Sequence, residues 1–245
     1  MKHVRMIRHA HSSANAGLPT TAPATITLTA LGQAQAQALA ASLPSAPGLI
    51  VSSPFDRAVA TATPTALRYP DVPLELWAVE EFTYLAPARH AGTTQAQRKP
   101  AADAYWQAGD QAAIDGPGAE SFAQLLQRAQ ALLHRLAQGT AQQVVVFSHG
   151  QFIRAVAWVI LHGEQAGEPA LMRQFRALDT AQPLANCAGY QLALGDDGWV
   201  TEHQLSADGH VKFIDAFCAQ QPMAEVPAMA MTQEMRDALA RRRLG

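Results

Sequence analysis

Val144-Val145-Val146-Phe147-Ser148-His149-Gly150 is an apolar run that ends abruptly on a serine, a histidine and a glycine. Four consecutive apolar residues with no alternation suit a strand buried on both faces, as at the centre of a parallel sheet. A helix is expected to follow, to about residue 161. Working outward, residues 2–7 (Lys-His-Val-Arg-Met-Ile) read as a second strand that ends on Arg8-His9, and residues 49–52 as a third that ends on Ser52-Ser53.

Helical stretches alternate with these strands. Thr29 is an N-cap for a helix to about residue 42, and Pro54 suits the first turn of a helix to about residue 67. Residues 74–79 predict a further strand. Gly118-Ala119-Glu120-Ser121 opens an amphipathic helix to about residue 137, and residues 170–178 form another. Residues 189–194 and 199–205 read as a hairpin about Gly195-Asp196-Asp197-Gly198. The segment 82–117 is irregular, with a short helix near 101–107. A connection of this length points to a substrate-side insert or lid.

The alternation predicts a three-layer α/β/α sandwich on a mostly parallel central sheet. Residues 1–222 form one domain on this reading. Residues 223–245 form a helical appendage, its basic helix running from about Thr232 to Arg241-Arg242-Arg243. Ligands of such sheets bind beyond the carboxyl ends of the strands. Arg8-His9, Ser52-Ser53 leading to Arg57, and Ser148-His149 all fall there.

Composition narrows the functions available. The 245 residues are 49% apolar and 16% charged, with a formal net charge of -2. Nothing here suggests a nucleic-acid binder or a membrane-surface protein. Two cysteines without a Cys-x-x-Cys pair argue against a disulfide framework or structural zinc. The basic residues at the amino end break its apolar run, so it does not read as a signal peptide, and a cytoplasmic protein is expected.

The polar clusters suggest chemistry. A strand-end arginine beside His9 would be costly to bury without an anion. Arg57 adds a second guanidinium, and His149 stands at a helix start whose free N–H groups favour anions. Together they make a phosphate cradle. In-line phosphoryl transfer there needs a neutral His9, with its pKa held down by the neighbouring cations, and a proton donor for the leaving oxygen. Glu81 or Glu80 can be that donor. His9-Ala10-His11 also has the spacing of a metal pair, which keeps a metallohydrolase open.

These residues resemble, in order, the motifs of the histidine phosphatase superfamily, the phosphoglycerate-mutase-like family. Arg8-His9-Ala10 resembles its Arg-His-Gly signature, with Asn15 at the spacing of its pocket asparagine. Residues 52–62 resemble its second arginine motif. Glu81 resembles its acid/base glutamate, Gly118–Ser121 its Gly-Glu-Ser helix start, Ser148-His149-Gly150 its second histidine motif, and Asn186-Cys187 the segment before its last core strand. The resemblance spans roughly residues 1–205.

It implies a metal-independent phosphomonoester hydrolase that forms a phosphohistidine on His9 and needs no cofactor. Arg8, Arg57 and His149 would hold the phosphoryl group, with Asn15, Gly150 and His11 around it and Glu81 as acid and base. The partner would be a small phosphorylated substrate, and a homodimer is possible. A phosphoglycerate-type mutase and a catalytically silent binding protein are the alternatives. The Arg-Arg pair of the mutase insert is missing, which favours hydrolysis; Arg89, Arg98 and Lys99 are candidate substitutes, and His90 lies beside them as a further candidate substrate contact.

Overall fold

The computed structural model describes residues 1–205. The predicted appendage from Met223, and the end of the predicted domain at 222, lie outside them. Six strands form one sheet in the order β3-β2-β4-β1-β5-β6. They are β1 (Lys2–Arg8), β2 (Leu49–Ser52), β3 (Leu74–Leu76), β4 (Gln143–Ser148), β5 (Gly189–Gly195) and β6 (Gly198–Leu205). The strands β3, β2, β4 and β1 run parallel. β5 and β6 close the other edge as an antiparallel hairpin. β4 is central, as its apolar run requires.

Alternate residues of β4 feed two cores. Val144 and Val146 face one of them, with residues of α4 (Phe122–Gln138), α5 (Gly150–His162) and α6 (Pro169–Ala181). Val145 and Phe147 face the other, with α1 (Ala30–Ser42) and α2 (Asp56–Arg68). The period-two pleat thus buries both faces of the strand and gives the three layers.

The caps explain several boundaries. The Thr29 hydroxyl accepts from Gly32 N at 3.2 Å at the start of α1. Ser121 forms a capping box with Gln124 at the start of α4. Pro54 lies ahead of α2 rather than in its first turn, since that helix begins at Asp56. β3 stops at Leu76, short of the expected residue 79. Trp77 N still donates to Ser52 O at 3.0 Å, but Val79 N then turns back to Trp77 O at 2.8 Å.

The insert holds a longer helix than expected, α3 (Gln95–Ala108), which passes through Pro100. A Thr94–Gln97 capping box fixes its first turn.

Gly189 of β5 lies opposite Ile7 of the neighbouring β1. A Cβ there would lie 1.6 Å from Met6 O. Gly189→Ala is therefore expected to destabilise the fold by about 3 kcal/mol or more, read as a fall in the thermal unfolding midpoint.

Candidate active site

The carboxyl ends of β2, β4 and β1 lie side by side. Arg8 is in register with Ser148, and Ser52 with Phe147. The chain keeps this order just beyond the strands: His9 N donates to Ser148 O at 2.9 Å, and Ser53 N to Phe147 O at 2.9 Å. Above them opens a cavity of about 490 Å³. Arg8, His9, Asn15, Arg57, Glu81 and Gly150 line it.

His9 is 3% exposed. Its Nδ1 lies 2.7 Å from Ala10 O, an acceptor, so Nδ1 carries the proton and Nε2 keeps a lone pair. Burial first, then the Arg57 and Arg8 guanidiniums, hold its pKa well below the ordinary 6.5. Both causes favour the neutral imidazole, and desolvation is the larger of the two. Arg57 is also buried; desolvation lowers its pKa to about 10, which leaves it charged at neutral pH. Its Nη1 donates to Pro23 O at 2.6 Å. Arg8 donates through Nη1 to Leu184 O, while its buried Nε has no partner among the described residues.

Glu81 and Glu80 separate cleanly. Glu81 Oε1 accepts from Phe82 N at 3.0 Å and from Gln151 N at 3.1 Å. Burial raises its pKa above the ordinary 4.5 against the pull of Arg57 and Arg8. Glu80 instead faces Arg128, at 3.5 Å. Arg128 also holds Glu120 at 2.6 Å and donates to the carbonyls of Ala78 and Glu80. Glu120 thus buttresses the segment that carries Glu81. Arg128, which lies in no motif, is the residue that sorts the two glutamates.

His149 is fully buried and does not line the cavity, contrary to its expected place on the phosphoryl group. It stands behind His9, ring centroids 5.2 Å apart. Its Nε2 lies 2.8 Å from Ser53 Oγ, and its Nδ1 has no partner among the described residues. Asn15 lies in the cavity wall as expected. Its Oδ1 accepts from Ser12 N, Ser12 Oγ and Asn186 Nδ2, which directs the Asn15 amide nitrogen away from them. Asn186 Nδ2 also donates to His9 O at 2.8 Å, and Cys187 N to Arg8 O at 3.1 Å. The Asn186-Cys187 segment clamps the main chain on both sides of the nucleophile candidate.

His11 does not line the cavity, contrary to its expected place around the phosphoryl group. Its Nδ1 is tied to Thr29 Oγ1 at 2.9 Å beside the start of α1. This also separates it from any metal pairing with His9. Among the described residues no three His, Cys, Asp or Glu side chains gather as a metal site needs.

The far wall comes from the insert. Tyr84, Leu85, His90, Arg98 and Lys99 line it. Arg89 does not; it pairs with Asp115 at 2.7 Å. Arg98 Nη1 donates to Thr93 O at 2.7 Å and Thr20 Oγ1 at 3.2 Å, joining the insert to the loop after β1. Gln151, Arg176 and Asp179, which no sequence motif marks, also line the cavity. No helix of the described residues is long and apolar enough to cross a membrane.

The chain belongs to the histidine phosphatase superfamily (branch 1), whose pattern matches residues 4–202. No curated relative matches it. Among solved structures it is similar to a phosphoserine phosphatase from Entamoeba histolytica in complex with phosphoserine, at 22% identity and TM-score 0.65, covering 86% of this chain and 100% of that one. It is also similar to a mycobacterial glucosyl-3-phosphoglycerate phosphatase in complex with VO3, at 25% identity and TM-score 0.64, covering 83% and 98%. A third, named mycobacterial hydrolase 2, covers 98% of this chain and 97% of its own at 23% identity and TM-score 0.61.

Proposed function

We propose that this chain is a phosphoric monoester hydrolase that works through a phosphohistidine on Nε2 of His9. The observation that carries the reading is the 2.7 Å contact of His9 Nδ1 with Ala10 O, which favours the tautomer with a free Nε2. With Nδ1–H given to Ala10 O, a neutral Nε2 remains in a pocket walled by two arginines and a buried carboxyl group.

In the first step Nε2 attacks phosphorus as the ester P–O bond breaks. The leaving oxygen takes the proton of Glu81. Arg8 and Arg57 offset the charge on the equatorial oxygens. His149 stands behind His9 with its Nε2 held at Ser53 Oγ, and supports the ring of the nucleophile from that side. In the second step the Glu81 carboxylate takes a proton from water, whose oxygen attacks phosphorus. The P–N bond breaks, inorganic phosphate leaves, and His9 and Glu81 return to their starting forms.

This cycle needs neutral His9 and protonated Glu81 together. At their ordinary values of 6.5 and 4.5 the glutamic acid would ionise before the imidazole became neutral. Burial moves the two in opposite directions and so favours the productive pair. The neighbours named as phosphatases favour hydrolysis as the outcome. The 490 Å³ cavity leaves ample room for an organic group besides the phosphate.

Incubation with a panel of phosphomonoesters in chelator is expected to release inorganic phosphate at the rate seen without chelator. Phosphate transfer back to substrate, with no release, would make the chain a mutase. Activity lost in chelator and restored by a divalent cation would overturn the mechanism.

A further inference from the structure

Asp179 of α6 belongs to none of the motifs, yet its carboxylate is held by donors from two helices at the cavity wall. Gln151 Nε2 donates to Oδ2 at 2.9 Å. Arg154 Nε donates to Oδ1 at 3.2 Å, and Arg176 Nη1 lies 3.5 Å from Oδ2. Arg154 is only 3% exposed, so this carboxylate has a buried cation to neutralise.

Gln151 has two ends in this arrangement. Its side chain reaches Asp179, while its main-chain N–H donates to Glu81 Oε1. Both hydrogen bonds made by the Glu81 carboxyl among the described residues fall on Oε1. That leaves Oε2 as the oxygen able to carry the transferable proton.

We propose that Asp179 is a positioning residue for Glu81: through Gln151 it ties Oε1 to the start of α5, and its charge opposes the effect of Arg8 and Arg57 on the carboxyl group. This rests on Glu81 being the proton donor. The electrostatics agree in sign. Burial is the main cause of the raised Glu81 pKa; Arg57 and Arg8 work against it, and Asp179 works with it.

The ionisable groups around the pair are Arg8 at the end of β1 with His9 beyond it, Arg57 from α2, and Tyr84 from the insert. His149 is the N-cap residue of α5, Arg154 lies within α5, and Arg176 comes from α6. Removing the Asp179 charge therefore leaves Arg154 and Arg176 uncompensated beside an already cationic pocket. Removing Arg176 leaves Asp179 less neutralised.

The test is the pH dependence of kcat/KM for phenyl phosphate hydrolysis, which reports the first step, where Glu81 acts as the acid. Protonated Glu81 is the active acid, so activity falls as pH rises through its pKa, and this alkaline limb reports the group. Asp179→Asn is expected to move the limb to lower pH by about half a unit or more. Arg176→Met, at the more exposed partner, is expected to move it to higher pH, and it decides the matter if Asp179→Asn does not fold. Glu81→Gln is expected to abolish the limb. If Glu81→Gln abolishes it while neither of the other variants moves it, Asp179 is only a structural partner of Arg154 and the inference is wrong. If Glu81→Gln keeps the wild-type limb, the donor assignment itself fails.

Discussion

His9→Ala is expected to lower phosphomonoester hydrolysis by at least about 10⁴-fold, the scale on which loss of a covalent nucleophile acts. No neighbour can take its place. His149 is the nearest imidazole, but it lies fully behind His9 and has no surface on the cavity. Arg8 and Arg57 would remain to bind phosphate, so substrate affinity should survive far better than turnover. The check is rapid quenching with a ³²P-labelled phosphomonoester. Wild-type protein should carry an acid-labile, base-stable label, and the variant should carry none. A folded His9→Ala protein that kept a tenth of the activity would remove the phosphohistidine from the mechanism.

Glu81→Gln should produce the next largest loss, about 10² to 10⁴-fold for an alkyl phosphate whose leaving oxygen needs a proton. The glutamine is nearly isosteric, and its carbonyl can still accept from Phe82 N and Gln151 N, so the pocket should stay intact. With p-nitrophenyl phosphate the leaving group departs without help, and only the second step still lacks its base. A burst of about one equivalent of nitrophenol followed by slow turnover is expected, with phosphoenzyme accumulating. Glu80→Gln should behave much like the wild type, because Glu80 is committed to Arg128 outside the cavity. If Glu80→Gln showed the large loss and Glu81→Gln did not, the two assignments would have to be exchanged.

The shape of the pH profile follows from the same burial. His9 loses its proton well below the ordinary imidazole range, so the acidic limb should lie below pH 6.5. The alkaline limb should lie above the ordinary carboxylate value, because desolvation raises Glu81. A hydrophobic enclosure that stabilised only one of these neutral forms would leave the productive state scarce.

The sequence by itself determined the sheet and the nucleophile candidate. Val144–Phe147 is apolar without alternation, which only a strand covered on both faces tolerates. Arg8-His9 and Ser148-His149 follow directly on such strands, so their meeting at one sheet edge was fixed by chain order and strand direction. The Thr29 cap and the helix start at Gly118–Ser121 were equally local and equally legible.

What the sequence left open depended on contacts between distant residues. Glu80 and Glu81 are adjacent and chemically alike. Only Arg128, brought to Glu80 across 48 positions of chain, decides which of them faces the cavity. His11 follows the nucleophile motif closely enough to be placed with the substrate, yet Thr29 holds it away. The helix expected only near 101–107 begins at Gln95, because the Thr94 capping box sets the first turn of α3 ahead of Pro100. Asp179 gave no signal because its partners lie on α5 as well as on its own helix. Local propensity and pattern specify elements and their ends. The choice among equivalent charged groups is made by desolvation and by the counter-charge each one meets, and those exist only once the helices have packed on the sheet.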